Sequence, residues 1–128
     1  LQWDDHEVTN NWSDGKDLSA DDRYKVKNVP LLIARATQAF MECAPLRNHG
    51  DEERDRVYRA IPYGPLLELF MVDMRIYRAA SSANLQDRYD AASHFLGPRQ
   101  LDWLGRSLKQ SNATSKIVCA DMPIGLKP

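Results

Sequence analysis

The longest apolar run of the chain, Leu66-Leu67-Glu68-Leu69-Phe70-Met71-Val72-Asp73-Met74, lies between Gly64-Pro65 and Arg75. A mostly apolar stretch this short, bounded by turn residues, predicts a buried strand. Lys116-Ile117-Val118-Cys119-Ala120-Asp121 predicts a second one. Between them, Gly97-Pro98 opens a segment with Leu101, Leu104 and Leu108 on one face and Trp103 beside it, the spacing of an amphipathic helix. Upstream, Leu31 to Met41 predicts a helix that starts near Pro30, is capped by Asn28 and ends before Pro45. Residues 13–28 are polar and turn-rich, and Asn48–Asp55 is charged, so both are expected to be surface loops, with His49 exposed. Arg78 to Phe95 has no clear period, and connections of that length in compact domains are often functional. Helices alternating with buried strands favour an α/β layered fold. Ligand sites in that class gather where strands end, which points to Asp73 and Arg75, to the loop after Asp121, and to the first dozen residues.

Composition narrows the function classes. At 128 residues, with 43% hydrophobic and 27% charged residues, the chain suits one domain with a real core. A formal net charge of -1 gives no long-range pull toward nucleic acid or anionic lipid. No apolar run approaches the ~20 residues of a spanning helix, so no stable membrane insertion is expected. Cys43 and Cys119 match no metal or redox spacing and sit among apolar residues, which predicts two buried small hydrophobes. His94, just ahead of the second helix, is expected to be structural or exposed.

The densest chemistry is Trp3-Asp4-Asp5-His6-Glu7-Val8-Thr9-Asn10-Asn11-Trp12. Its carboxylate, imidazole and amide groups are donors for hard or borderline cations. Hydrolysis of a phosphate ester needs anionic oxygens to hold a metal and a general acid for the leaving alkoxide. Asp5 is the candidate metal ligand, His6 the candidate acid, and Asp4 or Glu7 the residue that orients the imidazole. The same string also suits a solvated turn, and adjacent residues on a strand would face opposite ways, so joint action requires a sharp turn here. The chain opens without Met, and the cluster begins at residue 4, so an interior piece of a longer protein is expected.

The same segment resembles the metal-site motif of PhoD-like alkaline phosphatases and phosphodiesterases. Two further blocks follow in order. Tyr63-Gly64-Pro65-Leu66-Leu67-Glu68-Leu69-Phe70 with Asp73-Met74-Arg75-Ile76-Tyr77-Arg78 resembles that family's central block. Leu96-Gly97-Pro98-Arg99-Gln100-Leu101-Asp102-Trp103-Leu104, Ser111-Asn112-Ala113-Thr114 and Lys116-Ile117-Val118 resemble the next. The resemblance implies that residues 1–128 are part of a catalytic domain whose fold is the four-layer αββα metallophosphoesterase sandwich. It implies calcium and iron as cofactors, phosphate mono- or diesters as substrates, and a periplasmic or extracellular location. Laid on the superfamily's Gly-Asn-His-Glu/Asp motif, Asp5 takes the metal-binding position and His6 the leaving-group position. Asn11, and less so Asn10, can add a carbonyl oxygen, or can serve a turn. Arg75 falls in an Asp-x-Arg-x-x-Arg pattern; it can fork onto a phosphate or anchor the strand end through a salt bridge. The family's upstream aspartate-rich motifs and downstream His-x-x-x-His-like block have no counterpart here, so the chain alone is expected to be inactive and, with open sheet edges, poorly soluble. Two other readings remain: a non-catalytic interaction domain that kept the fold, and, more weakly, a small calcium-binding module, although no Asp-x-Asp-x-Asp-Gly loop is present.

Overall fold

The computed structural model describes residues 1–46, 56–83 and 85–123. The charged stretch Asn48–Asp55, with His49, lies outside the described residues. The architecture is mixed α/β. Helix α1 spans Val29–Cys43, strand β1 Arg59–Tyr63, strand β2 Leu67–Met71, helix α2 Pro98–Gln110 and strand β3 Ser115–Cys119, with a short 3-10 turn at Ala91–Ser93. The sheet order is β1-β2-β3. β1 and β2 form an antiparallel hairpin, whereas β2 and β3 run parallel, with Leu69 opposite Ile117, and are joined through α2. The carboxyl ends of β2 and β3 therefore meet at one edge.

Local chemistry explains the element boundaries. Asn28 Oδ1 accepts from Leu31 N at 3.0 Å and Pro30 sits in the first turn, so α1 starts where the sequence predicts. Its end follows from Pro45, which drives Ala44 into extended backbone, at φ -81 and ψ 140. At α2 the cap is Gly97, with φ +74 and no side-chain cap bond. A Cβ there would stand 3.1 Å from Tyr77 Cβ and 3.3 Å from Tyr77 O, so both dihedral and space call for glycine.

The sequence pattern does not predict β1, because Pro62 breaks its apolar alternation and carries no N–H. It forms all the same as an edge strand, where a missing donor is tolerated, with Pro62 opposite Glu68. The two strands that the sequence predicts are less buried than their apolar runs imply. β2 is buried only at Phe70 and Met71, and the enclosed run continues past its end through Val72, Asp73, Met74 and Arg75. β3, expected to be buried, is largely open: Ile117 is 49% and Val118 40% exposed. It pairs with β2 on one side only, and its faces are uncovered among the described residues. The cysteines correct the sequence reading as well. Cys43 is exposed at the last position of α1, and Cys119 is half-buried at the end of the edge strand; both are free thiols.

Two apolar clusters hold the elements together. In one, Trp3, Trp12 and Val57 pack with Val8, Ile33, Phe40 and Ile76, which ties α1 to the N-terminal segment. Trp3 meets Trp12 edge to face at 5.4 Å, a geometry worth ~0.5–1.5 kcal/mol beyond burial. In the other, Val72, Met74 and Leu96 pack with Leu104 and Met122, which ties α2 to the ends of β2 and β3. Gln100, fully buried on α2, clamps the chain after β2: its Oε1 accepts from Asp73 N at 2.7 Å, and its Nε2 donates to Asp73 O and Leu96 O, each at 2.8 Å. Gln100→Leu strands these main-chain groups without partners, so urea unfolding should show a loss of about 2–4 kcal/mol. Asn28→Ala, which removes only a cap, should lose about 1 kcal/mol.

Candidate functional site

The site forms at the edge where β2 and β3 end. Asp73 lies two residues beyond β2 and Asp121 two residues beyond β3. Asp73 is fully enclosed, and its Oδ1 accepts from Arg75 N at 2.9 Å, Ile76 N at 3.0 Å and Trp3 Nε1 at 3.3 Å. One carboxylate oxygen thus shapes the turn after β2 and holds the N-terminal segment against it. That turn aims Arg75 inward. Arg75 Nε donates to Asp121 Oδ2 at 2.7 Å and its Nη2 to Asp4 Oδ1 at 2.6 Å. The Arg75 and Asp121 side chains are 4% and 1% exposed, whereas that of Asp4 is 50% exposed. Arg75 is therefore an anchor between segments, with its guanidinium committed to carboxylates.

The sharp turn that the cluster requires is present. Asp5 O accepts from both Val8 N and Thr9 N at 3.0 Å. The Glu7 carboxylate reaches back to Asp4 N at 2.9 Å. Thr9 Oγ1 donates to Tyr24 Oη at 2.6 Å, and Lys16 Nζ donates to Asn10 O. Asn11 takes a left-handed conformation, φ 50, which Asn accepts more readily than most residues, and its N–H donates to Asp5 Oδ2 at 2.6 Å. The turn thus buries Asp5 to 6% exposure while leaving His6 with its side chain 80% exposed. His6 Nε2 stands 3.8 Å from Asp5 Oδ1.

Of the residues predicted from sequence, Asp5 and His6 stand side by side, and the exposed Asn11 meets Asp5 through its backbone N–H. Asp4 and Arg75 pair, and Glu7 reaches Asp4 but is otherwise exposed. Asp121, which the sequence leaves between support and surface turn, is the second carboxylate on Arg75. Gln100 escaped sequence reading; the available signal is an uncharged amide one position before Leu101 in an apolar helix stripe.

The three aspartates titrate differently. Burial pushes the Asp5 carboxyl up, but the Asn11 N–H, Arg75 and His6 together bring it below its usual 3.8. Burial dominates at Asp73 and raises it above 3.8 despite the N–H groups of Ile76 and Arg75. Burial likewise raises Asp121 despite the facing Arg75.

The donor set bears on the metals that the resemblance implies. Asp5 is a buried, ionised oxygen donor beside an imidazole, which fits one corner of a hard-cation site. Among the described residues no group of three or more His, Cys, Asp and Glu side chains is arranged to hold a metal. Asp4 and Asp121 are already engaged by Arg75. The described residues thus suit a contribution to a metal centre rather than a complete one.

The family model of PhoD-like phosphatases matches residues 1–127. The chain belongs to the PhoD-like phosphatase family. A solved structure of PhoD superposes with a TM-score of 0.67 at 29% identity, covering 91% of this chain and 23% of that one. The chain thus spans less than a quarter of the length of that PhoD. No curated protein sequence matches it.

The opposed aspartate shifts give a signed pH test. A raised carboxyl contributes stability below 3.8 that disappears as pH rises through its folded value, so the Asp73 charge costs stability at neutral pH. Asp73→Asn keeps the Oδ1 acceptor, and its stability relative to the unsubstituted chain should improve between about pH 3 and about pH 7. Asp5 is lowered, so its contribution is present above 3.8 and fades as pH falls. Asp5→Asn should therefore cost more at about pH 7 than at about pH 3. Denaturant titrations at the two pH values decide it, and parallel behaviour of the variants would refute the opposed shifts.

Proposed function

We propose that this chain supplies the acid-donor loop of a metal-dependent phosphoric ester hydrolase of PhoD type, an alkaline phosphatase or phosphodiesterase. The observation that carries the reading is the pairing of a buried, ionised Asp5 with an exposed His6, on a turn fixed at the carboxyl ends of parallel strands. Asp5 is the metal ligand, with the Asn11 N–H keeping its second oxygen in place. A bound hard cation, calcium or iron by family resemblance, would polarise phosphoryl oxygens and lower the pKa of an attacking water.

His6 donates its proton to the leaving alkoxide oxygen, and its exposure leaves the imidazole reachable by an ester. Asp4, Glu7 and Arg75 act indirectly, by holding the turn. Asn11, exposed beside Asp5, can add its side-chain oxygen to the metal or the substrate. The described sheet takes its place in the four-layer αββα sandwich, with residues 1–128 forming part of the catalytic domain. Members of this family are commonly exported, which supports a periplasmic or extracellular location. No helix among the described residues is long and apolar enough to cross a membrane.

The test is hydrolysis of p-nitrophenyl phosphate and bis-p-nitrophenyl phosphate at alkaline pH, with calcium and iron supplied. The natural protein carrying this sequence is compared with the isolated chain, which is expected to be inactive. His6→Gln should lower turnover by on the order of 100- to 10,000-fold. Unchanged turnover in that variant would remove His6 from the mechanism, and no hydrolysis of either ester would sink the proposal.

A further inference from the structure

Arg78 lies three residues beyond Arg75 on the same turn, and the two guanidinium groups are held very differently. Arg75 is enclosed and spends two nitrogens on Asp121 and Asp4. Arg78 is half-buried, and its Nη2 donates to the neutral Ser81 hydroxyl. Among the described residues no carboxylate stands within ion-pair distance of Arg78. Its Nε is enclosed without a hydrogen-bond partner, and so is Nη1 of Arg75. Arg78 lies within electrostatic reach of Asp5 and Asp121, which attract it, and of Arg75, which repels it. Because Arg75, on the same turn, reaches Asp4 next to Asp5, Arg78 belongs to the edge that carries Asp5 and His6.

A guanidinium taken partly out of water without a carboxylate has unmet donors and uncompensated charge. Those two deficits are what an oxyanion would meet, because a planar guanidinium fork matches phosphoryl oxygens. Arg75 has only Nη1 left without a partner, because Nε and Nη2 are held by Asp121 and Asp4. We propose that Arg78 is the residue that binds the non-bridging oxygens of the phosphate ester presented to Asp5 and His6. The proposal rests on the phosphoesterase reading and adds the specificity contact that reading lacks. Arg75 remains an anchor and adds positive potential behind the contact.

The test pairs inorganic phosphate binding by calorimetry with ester hydrolysis, in the natural protein that carries this sequence. Arg78→Gln should weaken phosphate binding and raise KM by on the order of tenfold to a hundredfold, the range of a hydrogen bond to a charged group, with kcat changing less. Arg78→Lys keeps the charge but loses the fork, and should fall between the two. Arg106→Gln removes an exposed charge from α2 and should change neither quantity. Wild-type KM and phosphate affinity in folded Arg78→Gln would overturn the proposal, as would absence of phosphate binding by the unsubstituted protein. If Arg78→Gln does not fold, Arg78→Lys decides, and a KM equal to wild type overturns the proposal. Phosphate binding that depends on Arg78 in a protein that hydrolyses neither ester would keep this contact and discard the hydrolase reading. Hydrolysis with a KM indifferent to Arg78 would do the reverse.

Discussion

One buried guanidinium ties together parts of the chain that are far apart in sequence. Arg75 pairs with Asp4 across 71 positions and with Asp121 across 46. Enclosed ion pairs add little net stability, because desolvation of the charges offsets much of their attraction. Their effect here is to fix arrangement. Only one relative placement of the N-terminal turn, the end of β2 and the end of β3 lets Arg75 reach both carboxylates. Asp73 and Gln100 make that placement rigid, since they hold the main chain on either side of Arg75 and engage Trp3 and α2. The apolar clusters bring the elements together, and this polar hub sets their register.

The consequence for the site is a division of labour between neighbours. Asp5 is pulled into the protein and kept ionised by a backbone N–H and nearby positive charge, while His6, one residue later, remains in solvent. A strand would also separate the two side chains, but it would not supply the N–H that holds Asp5. That N–H comes from Asn11 in its left-handed conformation, and the tight turn from Asp5 to Thr9 brings it into range. Residues that look redundant in the string Asp4-Asp5-His6-Glu7 therefore have separate physical tasks.

Much of this was legible in the sequence, and what was not has identifiable causes. Cap and proline chemistry located both helices, because Asn28, Pro45 and Gly97-Pro98 act within a turn of their own position. The motif blocks carried the family. Strand burial was misjudged at β3, since an apolar run reports what a strand prefers to cover and not whether a described element covers it. β1 was hidden by Pro62, which tolerates an edge that periodicity cannot see. The role of Gln100 is hidden because a buried amide leaves no periodic trace, and two of its three main-chain bonds go to Asp73, 27 residues away. Arg75 carried two readings in the sequence, and only three-dimensional proximity to Asp4 and Asp121 separates them.

The distances along the chain also bear on how such a protein emerges from the ribosome. Synthesis runs from the N-terminus, so Trp3, Asp4 and Asp5 leave the exit tunnel long before the partners that hold them. Until Arg75 and Asp73 follow, the two tryptophans lack the turn against which Trp3 is fixed. Until Asp121 appears, Arg75 has only half of its charge balance. The motif that identifies the family is thus made before the residues that order it, and in that interval its two tryptophans have not yet met the partners that fix them.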